Sequence, residues 1–244
     1  MNWHKMVIRM LAALFLFMLC GAITSHLLWH QAPLQGFGSA SFLYLAGVLL
    51  LLAVEQQERL PLGLAGLTGF IAEVIGVRYG WLFGEYRYTE VLAPNWLGTP
   101  IVMIFAWLLL IGYVRQMLMR VRLPAGAEIM LGGVWMTAID LLIDPVAAHP
   151  FNFWNWLEAG AYYGIPLHNF FGWFFVSVVI FSVDKLIVRR PALENYWACM
   201  IGLSIIVLYT CCAFAYGYYV AGSVGAGLGL IHFILVWWRK GFLD

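Results

Sequence analysis

The chain has 244 residues, of which 64% are hydrophobic and only 10% are charged, and its formal net charge is +1. A soluble domain of this length does not combine so few charges with a mean hydropathy of +0.87, and a nearly neutral chain offers no basic surface for nucleic acid. The composition therefore predicts an integral membrane protein.

Apolar windows of about 20 residues, the length that crosses a bilayer core of about 30 Å, recur along the whole chain. They predict eight transmembrane helices, at about 7–28, 37–54, 61–77, 99–119, 126–144, 167–187, 196–219 and 221–238. The first run follows Lys5 and Arg9, as in a signal peptide, but it is too long and lacks a small-residue cleavage site, so we expect a retained helix. The predicted fold class is all-α: a polytopic helical bundle that forms a single membrane domain over residues 1–244.

The positions of lysine and arginine predict the orientation, because cytoplasmic loops carry an excess of these residues. Arg78 and Arg87 are the exceptions to a model in which both termini are cytoplasmic. The other 11 of the 13 cations then fall on the inner side: Lys5, Arg9, Arg59, Arg115, Arg120, Arg122, Lys185, Arg189, Arg190, Arg239 and Lys240. We therefore expect a multi-pass protein of the cell membrane whose long loops, about 78–98 and 145–166, face away from the cytoplasm.

Carboxyl groups lie within two of the predicted spans, away from the predicted cytoplasmic ends. Glu73 lies in the third helix, and Asp140 and Asp144 lie in the fifth, four residues apart and hence on one helical face. Because a charge is costly in hydrocarbon, an acid inside a membrane span marks a functional site by default. We expect the site in two blocks, about 73–107 and 140–173.

The same acids also have structural explanations. Asp144 could cap its helix before Pro145, or it could pair with Arg78 or Arg87. Asp140, one turn deeper, could belong to a buried ion pair. Because a guanidinium group stays protonated, the two arginines are expected to be charge partners of the acids and not to exchange protons.

A short repeat links the two blocks. Gly98-Thr-Pro100 is followed by Trp107 seven residues after its proline, and Gly164-Ile-Pro166 is followed by Trp173 at the same offset. Proline is common at helix starts, so coincidence is one explanation. The other is that two helix pairs form a pseudo-symmetric cradle around the acids.

Histidine and cysteine give little support for a metal centre. His26 and His30 share one helical face, but the chain has six histidines and this single His-x-x-x-His pair. The cysteines lie in apolar spans without a Cys-x-x-Cys spacing and are expected to be packing thiols: Cys20, Cys199, Cys211 and Cys212. We expect no metal and no cofactor.

The two blocks resemble the carotenoid 1′,2′-hydratases of bacteria and archaea, the family of the γ-carotene and bisanhydrobacterioruberin hydratases. The first block contains Glu73-x-x-Gly76, Gly80, Phe83-Gly84-x-Tyr86-x-Tyr88, Leu92, Gly98-x-Pro100 and Trp107. The second contains Asp140, Asp144-Pro145, Trp154-x-Trp156, Gly160-x-Tyr162-Tyr163-Gly164-Ile-Pro166, Asn169-Phe170 and Gly172-Trp173. Such a string is much more specific than a single short motif.

The resemblance implies a hydro-lyase that adds water across the terminal double bond of an acyclic carotenoid end and yields a tertiary alcohol, without a cofactor. Catalysis then falls to the carboxyl groups of Glu73, Asp140 and Asp144. The residues expected to contact substrate or water are Arg78, Tyr86, Arg87, Tyr88, Trp107, Trp154, Trp156, Tyr163, His168, Asn169 and Trp173. The expected partners are an acyclic or monocyclic carotenoid in the bilayer, membrane lipid and other enzymes of the carotenoid pathway.

The residue types suit this chemistry on physical grounds. A carboxyl group enclosed by apolar side chains can still hold a proton near neutral pH, and aromatic faces can stabilise a carbocation. Asp140 is expected to be better shielded from water than Asp144 and therefore to be the proton donor. Asn169, His168 or a second carboxylate could hold the water.

Two other classes of protein remain as alternatives. An oxygenase would give the same hydroxylated end group while consuming dioxygen, but the small number of histidines argues against it. A lipid-binding or transport protein would also retain intramembrane acids, but it would need a polar path through the bundle, whereas the cytoplasmic halves of the helices are almost uniformly apolar.

Overall fold

The structure is a computed structural model that describes residues 3–31, 37–188 and 192–238. Within these residues the chain forms eight α-helices and four short β-strands. The helices are α1 (Trp3–Trp29), α2 (Phe37–Ala53), α3 (Gln56–Tyr79), α4 (Met103–Val121), α5 (Ala125–Ala148), α6 (Leu167–Ile187), α7 (Tyr196–Ala215) and α8 (Tyr219–Phe233). The strands are β1 (Tyr86–Tyr88), β2 (Asn95–Trp96), β3 (Thr99–Pro100) and β4 (Trp154–Trp156).

The prediction of a polytopic helical bundle is confirmed. In the described part of the chain, seven helices are long and apolar enough to cross a membrane, and α2 is a shorter apolar helix. Because lipid offers no hydrogen-bond partners to the backbone, helices satisfy the polar groups of each span internally. The bundle thus follows directly from the apolar windows of the sequence.

Helix α5 extends further than the sequence predicts. It was expected to end at about residue 144, before Pro145, but it continues to Ala148. Proline has no N–H, so the carbonyl of Leu141 loses its helical partner. The Tyr162 hydroxyl donates a hydrogen bond to this carbonyl oxygen at 2.9 Å. A loop side chain therefore replaces the missing bond, and Asp144 lies inside the helix instead of capping its end.

The start of α4 also differs from the prediction. Thr99 and Pro100 form β3, which pairs antiparallel with β2, so the helix begins at Met103. The turn between these strands contains Leu97 and Gly98 at φ 53° and 84°. In the second block, Tyr163 and Gly164 have φ 51° and 81° just before α6. The two Gly-x-Pro segments therefore share a local backbone form as well as a sequence.

Two helix–strand–helix units form the centre of the bundle: α3, β1 and α4 make the first unit, and α5, β4 and α6 make the second. Strands β1 and β4 join the units by antiparallel pairing, with Tyr86 opposite Trp156 and Tyr88 opposite Trp154. The repeated tryptophans, Trp107 and Trp173, stack with ring centroids 4.4 Å apart. The sequence repeat thus corresponds to two similar units that meet through matched residues, as the cradle hypothesis expects.

A network of ion pairs lies at the end of the bundle opposite the strands. Arg115 Nη1 is 2.9 Å from Glu58 Oε2, and Arg115 Nε is 3.2 Å from Asp184 Oδ2, so this cation ties α4 to α3 and α6. Lys185 Nζ is 2.8 Å from Glu128 Oε2 and links α6 to α5. The charges at the predicted cytoplasmic end therefore have a structural role, and this end of the bundle is not almost uniformly apolar as the sequence suggested, because it buries Glu58 and Arg115 as ion-pair partners.

The orientation in the membrane stays a prediction, and four of the cations on which it rests, Arg189, Arg190, Arg239 and Lys240, lie outside the described residues. In a background without its four cysteines, R87C should react with a membrane-impermeant maleimide only from the outer side, and L123C only from the cytoplasmic side. Both positions are exposed, whereas Phe153 in the same outer loop region is buried. Labelling of position 87 from the cytoplasm alone would contradict the model.

Candidate active site

Glu73 is a buried carboxylate that accepts three hydrogen bonds. The hydroxyls of Tyr86 and Tyr88 both donate to Oε2, the second at 2.9 Å. The indole Nε1 of Trp107 donates to Oε1 at 3.1 Å. The side chain is 4% exposed, so these donors replace the water that an ionised carboxylate needs. The first unit therefore forms a complete shell around one acid.

The strand β1 explains how the two tyrosines reach this acid. Side chains alternate between the two faces of a strand, so Tyr86 and Tyr88 point to the same side and Arg87 to the other. Gly76 on α3 makes room for them, since a Cβ there would lie 2.7 Å from Phe83 and 3.0 Å from the Tyr86 hydroxyl. The close packing of Phe83 and Tyr86 on α3 therefore depends on glycine at position 76.

Burial, followed by the charge of Glu73, raises the pKa of Tyr86 and of Tyr88 well above the ordinary value for tyrosine. A phenol loses its proton only as the pH approaches its pKa, so both side chains keep their protons across the physiological range. They are therefore constant hydrogen-bond donors to Glu73.

Asp144 on α5 is the corresponding acid of the second unit. Its Oδ1 accepts hydrogen bonds from Nε1 of Trp154 at 2.8 Å and from Nε1 of Trp156 at 3.2 Å. Its Oδ2 accepts a hydrogen bond from Nδ2 of Asn169 at 2.6 Å. The donors again come from alternate residues of a strand and from the following helix. The two units therefore use the same arrangement with different donor side chains.

Asp140 lies one helical turn deeper than Asp144 and has fewer partners. Nδ2 of Asn169 donates to its Oδ2 at 2.6 Å, so one amide group bridges the two aspartates. Its Oδ1 is buried and meets no hydrogen-bond donor among the described residues. The pair thus consists of an aspartate with several donors and one with a single donor.

A small cavity lies between the acids of the two units. Its volume is about 20 Å³, which is room for about one water molecule. Its walls are formed by Glu73, Phe83, Tyr86, Tyr88, Met103, Asp144, Trp154, Trp156, Asn169 and Trp173. Asp140 is not among these residues, although it shares the Asn169 amide with Asp144. The carboxyl groups of Glu73 and Asp144, which come from different helices, therefore face one cavity with room for about one water molecule.

Arg78 and Arg87 are not the charge partners that the sequence predicted. Within the described residues, neither forms an ion pair with Glu73, Asp140 or Asp144, and both side chains are exposed. Strand alternation turns Arg87 away from the cavity, and Arg78, five residues after Glu73, lies on another face of α3. The site holds its acids by neutral donors.

Two other predicted residues lie away from the cavity. His168 is exposed at the start of α6, while the next residue, Asn169, is buried and points inward. Tyr163 accepts a hydrogen bond on its hydroxyl from the Val220 amide at 3.1 Å, and its carbonyl oxygen lies 2.8 Å from His149 Nε2. Tyr163 therefore connects the loop before α6 to α8 and to the C-terminal end of α5.

Phe83 and Met103 line the cavity but were not among the predicted site residues. The repeat contains a signal for Met103, because it follows Pro100 by three residues as Asn169 follows Pro166. Phe83 belongs to the first sequence block, but no feature of its local sequence shows that its ring reaches the acids.

The histidines of α1 take part in side-chain contacts. His26 Nδ1 lies 3.0 Å from the Tyr216 hydroxyl, and the ring of His30 makes an edge contact with the same tyrosine. In residues 3–31, 37–188 and 192–238, no three histidine, cysteine or acidic side chains come together as a possible metal site.

Comparison with known proteins identifies the relatives of this chain. The model of a family described as "carotenoid biosynthesis protein" matches residues 37–236. Bisanhydrobacterioruberin hydratase of Haloarcula japonica is 31% identical over 147 residues, which cover 56% of this chain and 50% of that protein. The chain thus spans about half the length of this curated relative. No solved structure matches the chain.

Proposed function

Because this chain belongs to the carotenoid biosynthesis protein family, we propose that it is a carotenoid hydratase. The reaction is the addition of water across the terminal 1′,2′ double bond of an acyclic carotenoid end, which gives a tertiary alcohol. The similarity to a bisanhydrobacterioruberin hydratase supports this reaction class. The substrate reaches the protein from within the bilayer of the cell membrane, since a polyene hydrocarbon partitions into lipid.

One observation carries the proposal: two buried carboxyl groups from different units face one cavity about the size of a water molecule. Glu73 accepts three hydrogen bonds, whereas the aspartates of the second unit share one amide. Carboxyl groups in such different surroundings suit opposite roles, one as acid and one as base. Hydration of an alkene needs both.

We assign the acid to the pair Asp140 and Asp144. Two carboxylates beside the same amide nitrogen repel each other, so the pair favours a state in which it holds one proton between them. Asp144 lines the cavity and is therefore placed to give this proton to the less substituted alkene carbon when the wall of the water-sized cavity opens to admit the alkene end. Asp140 does not line the cavity. It shares the proton with Asp144 next to the Asn169 amide, and Asp144 receives the proton from this pair.

Protonation of the alkene leaves a positive charge on the tertiary carbon. The faces of aromatic rings carry the negative part of the ring quadrupole and attract a cation. Phe83 and Trp173 line the cavity, and Trp173 is held in place by its stack on Trp107. These rings stabilise the cation without forming a bond to it.

Glu73 is then the base. Water adds to the cation, and the proton that it releases passes to the Glu73 carboxylate on the opposite wall. One proton has entered the substrate and one has left the water, so the alcohol is the only product. Transfer of the proton from Glu73 back to the aspartate pair, across the shared cavity, restores the starting state.

The origin of the hydroxyl oxygen tests this function. With purified protein and an acyclic carotene, without a reductant, heavy-oxygen water should label the product and heavy dioxygen should not. In deuterated water, one non-exchanging deuterium should enter the carbon next to the new alcohol carbon. Mass spectrometry of the product measures both labels. Oxygen derived from dioxygen would place the protein among the oxygenases, and the absence of any product would favour a lipid-binding protein.

A further inference from the structure

A second cavity, of about 440 Å³, lies between α1, α2, α7 and the segment 149–153 that follows α5. Sites for small molecules have volumes of about 300 to 1,000 Å³. Most of its wall is apolar, and its few polar groups include Ser25 and His26. Ser25 Oγ donates to the Gln31 carbonyl oxygen at 2.8 Å, and His26 Nδ1 lies 3.0 Å from the Tyr216 hydroxyl. These groups are satisfied within the protein, so the cavity suits a hydrocarbon.

The inner wall of this cavity is aromatic and closely packed. The Phe151 ring lies 4.4 Å from the ring of His26 and 5.4 Å from the rings of Phe153 and Tyr209. A fixed aromatic wall suits a flat, conjugated chain, which stacks on it. A rigid polyene also loses less conformational freedom on binding than a saturated acyl chain. The wall therefore favours a polyene over a phospholipid tail.

Part of the wall of the cavity is formed by exposed residues of α1. Phe17 and Trp29 line it and are 76% and 63% exposed. Gly21 lies between them on the same helical face, and a Cβ at this position would meet no atom within 4 Å. A ligand dissolved in the bilayer can thus enter between α1 and α2.

One chain segment contributes to both this cavity and the site of the two acids. The Phe153 side chain lines the apolar cavity, and the next side chain, Trp154, donates its hydrogen bond to Asp144. Adjacent residues of an extended segment point to opposite sides. The two spaces are therefore neighbours on either side of the segment 153–154.

We infer that the apolar cavity binds the polyene hydrocarbon of the substrate behind its reacting end. This inference rests on the proposed function, because it assigns to that site the part of the ligand that does not react. A contact that is the same in the ground state and in the transition state changes KM and leaves kcat unchanged, and we expect the apolar cavity to act on the unreactive polyene in this way.

Gly21→Leu tests this assignment, because it fills the cavity from a position with free space. Purified protein is mixed with lycopene in detergent micelles and passed over a size-exclusion column, and bound lycopene is read from its visible absorption. The variant should retain at least about tenfold less lycopene than the parent, because its side chain takes the place of buried hydrocarbon. In the hydration assay its KM should rise while kcat stays close to that of the parent.

Gly227→Leu is the matched control. Gly227 is exposed on α8, a Cβ there also meets nothing within 4 Å, and the residue does not line the cavity. This variant should bind lycopene like the parent. If Gly21→Leu does not fold, Ser39→Leu fills the same cavity from α2 and takes its place in the test.

The outcomes separate this inference from the proposed function. Equal lycopene retention by the parent and a folded cavity variant overturns the inference, as does a parent that retains phospholipid but no lycopene. If the parent binds lycopene, the cavity variant loses it and neither hydrates it, the cavity assignment survives and the proposed reaction fails. Asp144→Asn should retain lycopene, because it leaves the apolar cavity unchanged.

Discussion

Replacement of Asp144 by Asn should lower the rate of carotenoid hydration by at least about a hundredfold, the usual lower scale for a lost general acid. Asparagine has nearly the same volume and its oxygen can still accept the indole hydrogen bonds of Trp154 and Trp156. Its NH₂ group then faces Nδ2 of Asn169, so some loss of stability is expected, and thermal unfolding is measured together with activity. Asparagine has no transferable proton, however, and Asp144 is the aspartate on the cavity wall. The measurement is product formed per amount of protein in isolated membranes.

Glu158→Gln is the control for this variant, because Glu158 is an exposed carboxyl group in the loop that follows β4. It should hydrate carotene at the parent rate. Asp140→Asn separates the two aspartates: it should also slow the reaction, but less than Asp144→Asn, because Asp140 does not line the cavity. A larger loss from Asp140→Asn would restore the assignment that the sequence suggested, with Asp140 as the direct donor. Full activity in both variants would exclude the acid proposed here.

Replacement of Glu73 by Gln should also reduce hydration by at least about a hundredfold, because the amide cannot take up the proton released by water. Glutamine has one side-chain oxygen in place of two, so it cannot accept all three hydrogen bonds. Its NH₂ group must face either the two tyrosine hydroxyls or the indole N–H of Trp107, which are donors as well. Some loss of stability is therefore expected together with the loss of activity. Thermal unfolding of the purified variant and its hydration rate, measured in parallel, separate the two effects.

Tyr86→Phe tests whether activity depends on the hydrogen bonds that Glu73 accepts or only on the packing of the side chains around Glu73. The phenylalanine ring keeps the packing and removes one of the three donors, while Tyr88 and Trp107 remain. Its activity should lie between those of the parent and Glu73→Gln. If Glu73→Gln is folded and fully active, Glu73 is a structural acid and the base must be sought among the other groups on the cavity wall.

The sequence was sufficient to predict the transmembrane helices and the two regions that contain the candidate site. Apolar windows are local features of the sequence. In lipid, every backbone N–H and C=O group needs a hydrogen-bond partner within the protein, so an apolar window of sufficient length forms a helix. The rule that a buried acid marks a site is also local, and it identified Glu73, Asp140 and Asp144 without any structure. Tyr86, Tyr88, Trp107, Trp154, Trp156 and Asn169 were named as site residues, and in the structure they hold these acids.

The sequence did not determine which side chains face the cavity. Arg87 was expected near an acid because opposite charges attract, but the pairing of β1 with β4 fixes its side chain on the outer face. Asp140 was preferred to Asp144 because it is deeper in the membrane, and which aspartate gives the proton stays a prediction. In the structure Asp144 lines the cavity, and Asn169 from another helix donates to both aspartates.

Composition and the spacing of apolar residues thus determined the membrane class and the helix order, because these depend on neighbours along the chain, whereas the spacing of proline and tryptophan only suggested the two units of the repeat. The tertiary structure decided that the acids of both units face one water-sized cavity, that neutral donors and not arginines surround them, and that an apolar cavity lies beside them. These features arise from contacts such as those between Trp107 and Trp173 or between β1 and β4, whose members are far apart in the sequence. No local pattern records the distance or the direction of such contacts.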